Sequence, residues 1–176
     1  MPAVSTLIAI LQHTPRWVWL LLAVLIAAGV AQSRARRLTL VRLTALPAAF
    51  VKLSLFGVVS GFAGTAAVAG WAVGLAAATA LAFALGAPPA ARWHAAERHF
   101  DVPGSWLPLA LMLGVFATKY VVGVLVALTP PLRHDAAFAS AAGVAYGAFS
   151  GCFLGRALAF RALALPGRGR AEVATA

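Results

Sequence analysis

Long apolar stretches alternate with short polar ones along the chain, and five of the apolar stretches approach the length that crosses a bilayer. They cover roughly residues 17–31, 43–62, 66–85, 106–128 and 138–160. A hydrocarbon core of about 30 Å needs about 20 residues of helix, so the pattern predicts five membrane-spanning helices, called spans one to five. Span one is short and is expected to start earlier, with Leu7–Leu11 continuing it or forming an interfacial turn before Pro15.

Glycine and proline mark the ends of these stretches. Gly61 and Gly64 flank a very short connection, which predicts that spans two and three form an antiparallel hairpin. Ser105 stands before span four as an expected N-cap. Proline-containing pairs end the last three spans: Pro88-Pro89, Pro130-Pro131 and Pro166-Gly167.

Composition places the chain among membrane proteins. Of its 176 residues, 62% are hydrophobic and 10% are charged, against about 25% charged in a soluble domain. The longest polar stretch is about twenty residues, between Ala87 and Trp106, which leaves no room for a separate soluble domain. We therefore expect an all-α fold, a polytopic membrane helical bundle with five transmembrane helices. Residues 1–165 form a single membrane domain in this prediction, and residues 166–176 form a short, disordered cytoplasmic tail.

Arginines are distributed unequally between the two ends of the spans. The segments after span one, after span three and at the end of span five carry ten arginines, and the opposite side carries two, Arg16 and Arg133. Because cytoplasmic loops carry the excess of basic residues, this predicts an external N-terminus, a cytoplasmic C-terminus and a multi-pass protein of the cell inner membrane. The formal net charge of +10 has the same explanation, together with contact with anionic membrane lipid, so nucleic acid is not an expected partner.

Two lysines, Lys52 and Lys119, lie deep inside spans two and four, and no carboxylate lies in any span. A buried ammonium without a counter-ion is costly, so water, backbone carbonyls, a lipid headgroup or an anionic ligand has to compensate it. Snorkelling of the side chain to an interface is one explanation, and transport gating or proton transfer is another. As ligand-binding residues we select Lys52, Lys119, the neighbouring Tyr120, and Arg156, whose simpler role is to reach headgroups or helix carbonyls.

Glycines recur at every fourth residue of span five: Gly143, Gly147, Gly151 and Gly155. This spacing puts them on one stripe of a helix, and such a stripe lets another helix approach closely in a membrane. Packing against another span of the same chain is one interpretation, with Gly70 and Gly74 of span three as the partner face. A homodimer seam and a groove for a lipid tail are the alternatives.

Residues for catalysis or metal binding are scarce. The four acidic residues, Glu97, Asp101, Asp135 and Glu172, all lie outside the spans, so no acid–base pair is available for catalysis. The loop from His94 to Asp101 holds two histidines and two carboxylates, but their spacing matches no familiar helical metal motif. We expect a solvated loop with local ion pairs there, no metal site, no cofactor and no enzymatic activity.

Three functions remain open on these grounds. The first is a membrane protein that binds an anionic lipid or amphiphile near the intramembrane lysines, which predicts a side opening between helices. The second is a small transporter or transporter subunit that works as a dimer through the glycine stripe, which predicts an aqueous path to the lysines. The third is a structural subunit of a membrane complex, which predicts that the glycine stripe stays exposed in the monomer.

Several short blocks support a family resemblance. They are His13-Thr14-Pro15 with Trp17-Val18-Trp19, Pro103-Gly104-Ser105-Trp106-Leu107-Pro108, Thr118-Lys119-Tyr120, Tyr146-Gly147-Ala148-Phe149-Ser150-Gly151 and Gly155-Arg156. With these blocks the chain resembles an uncharacterised family of small five-span bacterial inner-membrane proteins over nearly its whole length. The resemblance implies the fold and the membrane, and it brings no assigned function with it.

Overall fold

The computed structural model describes residue 12, residues 14–94 and residues 99–164. In chain order, its elements are α1 (Arg16–Ala31), β1 (Arg36–Thr39), α2 (Leu40–Gly61), α3 (Ala66–Ala84), β2 (Arg92–His94), β3 (His99–Val102), α4 (Leu107–Leu128), a 3₁₀ turn (Pro130–Arg133) and α5 (Ala136–Leu163). The predicted tail and the segment Leu7–Leu11 lie outside the described residues.

Among the described residues, four helices are long and apolar enough to cross a membrane: Val41–Gly61, Ala66–Ala84, Leu107–Leu128 and Ala136–Leu163. Their bounds agree with predicted spans two to five within a few residues. The helix at span one, α1, has 16 residues and is shorter than a full crossing. A mainly helical protein with several helices long and apolar enough to cross a membrane is therefore confirmed, while the fifth span and the orientation of the termini stay predictions.

Local chemistry explains where these helices begin and end. The Asp135 carboxylate accepts a hydrogen bond of 2.6 Å from the Phe138 N–H and caps α5. The predicted N-cap of α4, Ser105, lies one residue before the observed one, Trp106, and the Ser105 hydroxyl accepts a hydrogen bond from the Leu107 N–H at 3.2 Å. Gly64 has φ +83°, a left-handed conformation that lets the chain turn directly from α2 into α3.

Helices α3 and α5 form the closest contact in the bundle. A Cβ added at Gly143 would collide with the Ala67 carbonyl, and one added at Gly155 would lie 2.5 Å from the Thr79 carbonyl oxygen. The contacts advance in the same direction along both helices, so α3 and α5 run parallel. All four stripe glycines are buried against α3. The stripe is thus occupied within the chain, and a dimer or a larger complex that used it would first have to displace α3.

A three-stranded antiparallel sheet at one end of the bundle joins two segments that were predicted to be loops. Its order is β1-β3-β2, so it connects the segment after α1 with the segment after α3. Phe100 and Val102 of β3 point to one face and are buried with Phe160 of α5, and the intervening His99 and Asp101 point to the other face. The all-α prediction holds for the protein as a whole, and only the two predicted loops are corrected: they form short strands, such as β2 and β3 of three and four residues, and Phe100 and Val102 of β3 pack against the end of α5.

Helix α1 lies antiparallel along α4. Close to its C-terminal end, Gly29 is so near Leu109 that a Cβ there would lie 2.8 Å from the Leu109 Cβ. At the other end, Thr14 meets Tyr120 across 2.7 Å between hydroxyl oxygens. Since α4 continues from Tyr120 to Leu128, about two helical turns of α4 extend past this contact.

Candidate functional site

A long cavity of about 630 Å³ lies between α1, α2, α4 and α5. It follows α4 from Met112 to Leu128, which is about 24 Å of helix at 1.5 Å per residue. Leucine, valine and phenylalanine make up half of its lining residues. A cavity with this length and lining matches the shape and chemistry of a hydrocarbon chain.

The Lys119 side chain is the cationic group of this cavity. Its ammonium lies 4.7 Å from the centre of the Tyr146 ring, which provides a cation–π contact. Gly57 of α2 leaves room for the ammonium, because a Cβ there would be 2.9 Å from the Lys119 Nζ. Within the part of the chain that the structure describes, no carboxylate pairs with Lys119: Asp101 lies on the sheet and Asp135 caps α5. The aromatic face therefore compensates the charge only in part.

Two other side-chain hydroxyls of the cavity wall, those of Tyr120 and Ser54, have hydrogen-bond partners within the protein. The Tyr120 hydroxyl forms a hydrogen bond with the Thr14 hydroxyl, and this bond fixes α1 against α4. The Ser54 hydroxyl donates to the Tyr146 carbonyl at 3.2 Å and accepts from the Trp71 indole N–H at 3.1 Å. These bonds leave the Lys119 ammonium as the group best placed to meet an anion.

The predicted site residues separate into three places. Lys119 and Tyr120 line the same cavity. Lys52 is exposed and is not among its lining residues, because the α2 residues that face the cavity are Phe50, Leu53 and Ser54 and the helix turns by about 100° per residue. Arg156 belongs to a different cavity.

This second cavity, of about 530 Å³, lies between the sheet and the adjoining ends of α2, α4 and α5, and three arginines line it: Arg36, Arg42 and Arg156. Arg36 and Arg42 were interpreted from the sequence only as topology markers, so their role as lining residues was missed. The available signal was that both flank the start of span two, next to the end of span five in the predicted topology. Phe153 lines both cavities, and its ring stacks on Phe50 with centroids 5.0 Å apart.

The histidine-rich loop region forms an ion-pair cluster on the outer face of the sheet. His94 Nε2 lies 2.9 Å and His99 Nε2 lies 3.4 Å from Asp101 oxygens, and the Arg37 guanidinium lies 3.5 Å from the same carboxylate. Ligand atoms of the two histidines and Asp101 lie within 4.8 Å of one another, close enough to share one metal ion. The arginine, however, already occupies the carboxylate and repels a cation. Glu97 of the same loop lies outside the described residues.

The comparison with protein families covers nearly the whole chain. Residues 2–171 match the model of a family of unknown function, DUF6622. No curated protein and no solved structure matches the chain significantly. The match confirms the predicted resemblance to an uncharacterised family, and it assigns no activity to the two cavities. The chain belongs to DUF6622, a family of unknown function.

Proposed function

We propose that this protein is a non-enzymatic, multi-pass inner-membrane protein that binds an anionic amphiphile, with the hydrocarbon chain in the long cavity and the anionic group against Lys119. The observation that carries the proposal is a single ammonium without a carboxylate partner in an apolar cavity about 24 Å long. A hydrocarbon chain would replace the water or lipid in the cavity, and a carboxylate or phosphate would compensate the charge that Tyr146 only partly offsets.

The arginine distribution supports the inner-membrane location and orientation. The sheet brings the segment after α1 and the segment after α3 together at one end of the bundle, and these are two of the arginine-rich segments. A cytoplasmic position for this end agrees with the excess of basic residues in cytoplasmic loops. That the protein is not an enzyme is part of this proposal, and it is supported by the described acidic residues, Asp101 and Asp135, neither of which lines either of these two cavities.

The test is native mass spectrometry of the protein in mild detergent with two probes of the same chain length, oleate and oleyl alcohol. We expect wild type to prefer oleate by about tenfold, the effect of one charge-assisted hydrogen bond. Lys119→Met should remove this preference and leave the weaker binding of the alcohol. Lys52→Met is the matched control, because it removes a lysine that lies outside the cavity, and it should behave as wild type.

Persistence of the oleate preference in Lys119→Met would overturn the proposal. An equal loss of oleate binding in Lys119→Met and Lys52→Met would also overturn it, because it would show a general effect of removing a positive charge. A change in far-ultraviolet circular dichroism would identify a folding defect, and Lys119→Arg, which keeps the charge, then takes the place of the methionine variant and should keep the preference.

Transport of the same amphiphile is a second candidate, favoured by one observation. Phe153 lines both the Lys119 cavity and the arginine cavity. Rotation of the stacked Phe50 and Phe153 rings would join the two cavities into one path along the bundle. This candidate predicts that removing the Phe153 ring accelerates transfer.

A further inference from the structure

We propose that the arginine cavity is a separate phosphate-binding site, formed by Arg36, Arg42 and Arg156, and that it holds the phosphate of a phospholipid. The proposal goes beyond the function assigned to Lys119, because the lining residues described for the two cavities have only Phe153 in common. It names a different cation set, a different ligand group and the other end of the bundle.

The three arginines converge from three different elements. Arg36 comes from β1, Arg42 from the first turn of α2 and Arg156 from the C-terminal half of α5. Strand β1 leads directly into α2, so Arg36 and Arg42 stand on both sides of this junction. The Arg36 Nη2 donates a hydrogen bond of 2.8 Å to the Gln32 side-chain oxygen, which orients its guanidinium at the edge of the cavity.

Among the described residues, strand pairing separates Arg37, which has a carboxylate partner, from Arg36, which has none. Arg37 is the register partner of Asp101, and its guanidinium lies 3.5 Å from that carboxylate on the outer face. Arg36 is the register partner of Val102 on the opposite face, and both line the cavity. The carboxylate and its arginine thus stay outside, and the cavity receives positive charge alone.

Three like charges in one partly enclosed space repel each other, and an anion among them would offset this repulsion. No aspartate or glutamate is found among the described residues that line the cavity. Burial lowers the pKa of the Arg36 guanidinium from its ordinary value, which agrees with a position where the charge is poorly solvated. Guanidinium groups bind phosphate through two parallel N–H···O bonds, so a phosphate matches this set in charge and in its hydrogen-bonding groups.

Apolar residues opposite the arginines favour a phosphate that is attached to a lipid. Leu43, Pro47, Leu111 and Phe160 line the same cavity. A free phosphate ion would leave this wall uncovered, whereas the glycerol and the first methylene groups of a phospholipid would cover it. The position at the end of the apolar helices is also where lipid headgroups lie.

The experiment titrates the full-length protein in detergent with dihexanoyl phosphatidic acid and, separately, with inorganic phosphate. We expect wild type to bind the short lipid, and Arg42→Gln and Arg156→Gln each to weaken that binding by about tenfold. Arg37→Gln is the control, because Arg37 lies beside Arg36 on β1 but on the face of the sheet that is turned away from the cavity. The affinity of this variant for the lipid should stay within about twofold of wild type. Lys119→Met should also leave the affinity for this lipid unchanged, which separates this test from that of the proposed function.

Two results would overturn the proposal: an Arg42→Gln variant that binds the lipid as tightly as wild type, or equal losses of affinity in Arg42→Gln and Arg37→Gln, which would indicate a diffuse effect of net charge. Arg42 is exposed in the first turn of α2, so its variant tests the proposal even if Arg156→Gln fails to fold. If inorganic phosphate displaces the lipid at equal affinity and depends on the same two arginines, the phosphate site stands and the lipid origin of the ligand is wrong.

Discussion

The two halves of this bundle differ in what lies between their helices. Between α3 and α5 there is almost no space, because the stripe glycines contact backbone atoms of the partner helix. A Cβ added at Gly147, for example, would lie 2.8 Å from the Leu75 backbone nitrogen. Between α1, α2 and α4, large side chains hold the helices apart around a cavity of about 630 Å³. Helix association in a membrane depends on van der Waals packing rather than on escape from water. Small residues therefore allow close packing in one half of the bundle, and bulky residues in the other half leave the space in which a ligand can bind.

The largest effect is expected when one methyl group is added between the closely packed helices α3 and α5. In Gly147→Ala the new Cβ would collide with the Trp71 carbonyl, and we expect the free energy of unfolding to fall by about 2–3 kcal/mol, as in other overpacked interiors. Thermal unfolding in detergent, followed by circular dichroism, measures this loss.

The matched control for that experiment is Gly123→Ala. Gly123 lies in α4, and a Cβ there has no neighbour within 4 Å, so stability should change by less than about 0.5 kcal/mol. Equal melting temperatures for the two variants would contradict the claim that the halves differ in packing.

The second change tests whether the loose half depends on side chains. Phe153→Ala removes the ring that stacks on Phe50 with an interplanar angle of 8°. Such a ring pair contributes about 0.5–1.5 kcal/mol, so we expect stability to fall by about that amount. If the stack is the barrier between the cavities, transfer of oleate across proteoliposomes should accelerate by about two- to tenfold.

Phe153→Leu is the control for Phe153→Ala, because it keeps an apolar side chain in the same place and should give an intermediate rate. Flux that stays at the level of protein-free vesicles in wild type and both variants would rule out transport and leave binding as the proposed function.

The smallest effect is expected where the two halves meet. Ser54 of α2 bonds both Trp71 of α3 and the Tyr146 carbonyl of α5, so Ser54→Ala removes two interhelical hydrogen bonds. Such bonds contribute about 0.6 kcal/mol each in membranes, and we expect a loss of about 1 kcal/mol in the same unfolding assay. Ser60→Ala is the control, since the Ser60 hydroxyl bonds only the Phe56 carbonyl of its own helix, at 2.7 Å. A larger loss for Ser60→Ala would contradict the assignment.

The sequence predicted the four long helices well because glycine and proline interrupt its apolar runs at places such as Pro88-Pro89 and Pro130-Pro131. It also identified Gly143, Gly147, Gly151 and Gly155 as one stripe, since regular spacing on a helix needs no knowledge of the partner. The sheet could not be predicted, because strands of three or four residues are too short to show a period. Their pairing also joins segments that lie far apart in the chain.

The direction in which each lysine points was also beyond the sequence. In a soluble helix, a polar face shows which side meets water, but in a membrane both the bundle interior and the lipid are apolar. Lys52 and Lys119 therefore looked equivalent, although only Lys119 lines the cavity. For the same reason, Arg36 and Arg42 were interpreted as topology markers, since their convergence with Arg156 depends on how β1 and α5 meet.

The parallel arrangement of α3 and α5 sets an order of events during synthesis of the chain. Each α3 residue packs against a residue that is synthesised about 76 residues later, as Ala67 packs against Gly143. Synthesis of that length takes roughly 4–15 s at bacterial and eukaryotic elongation rates. Until then Gly70 and Gly74 face lipid or the insertion machinery. A nascent chain that stalls after α4 therefore presents an unpaired small-residue face, a feature by which membrane quality control could recognise an unfinished copy of this protein.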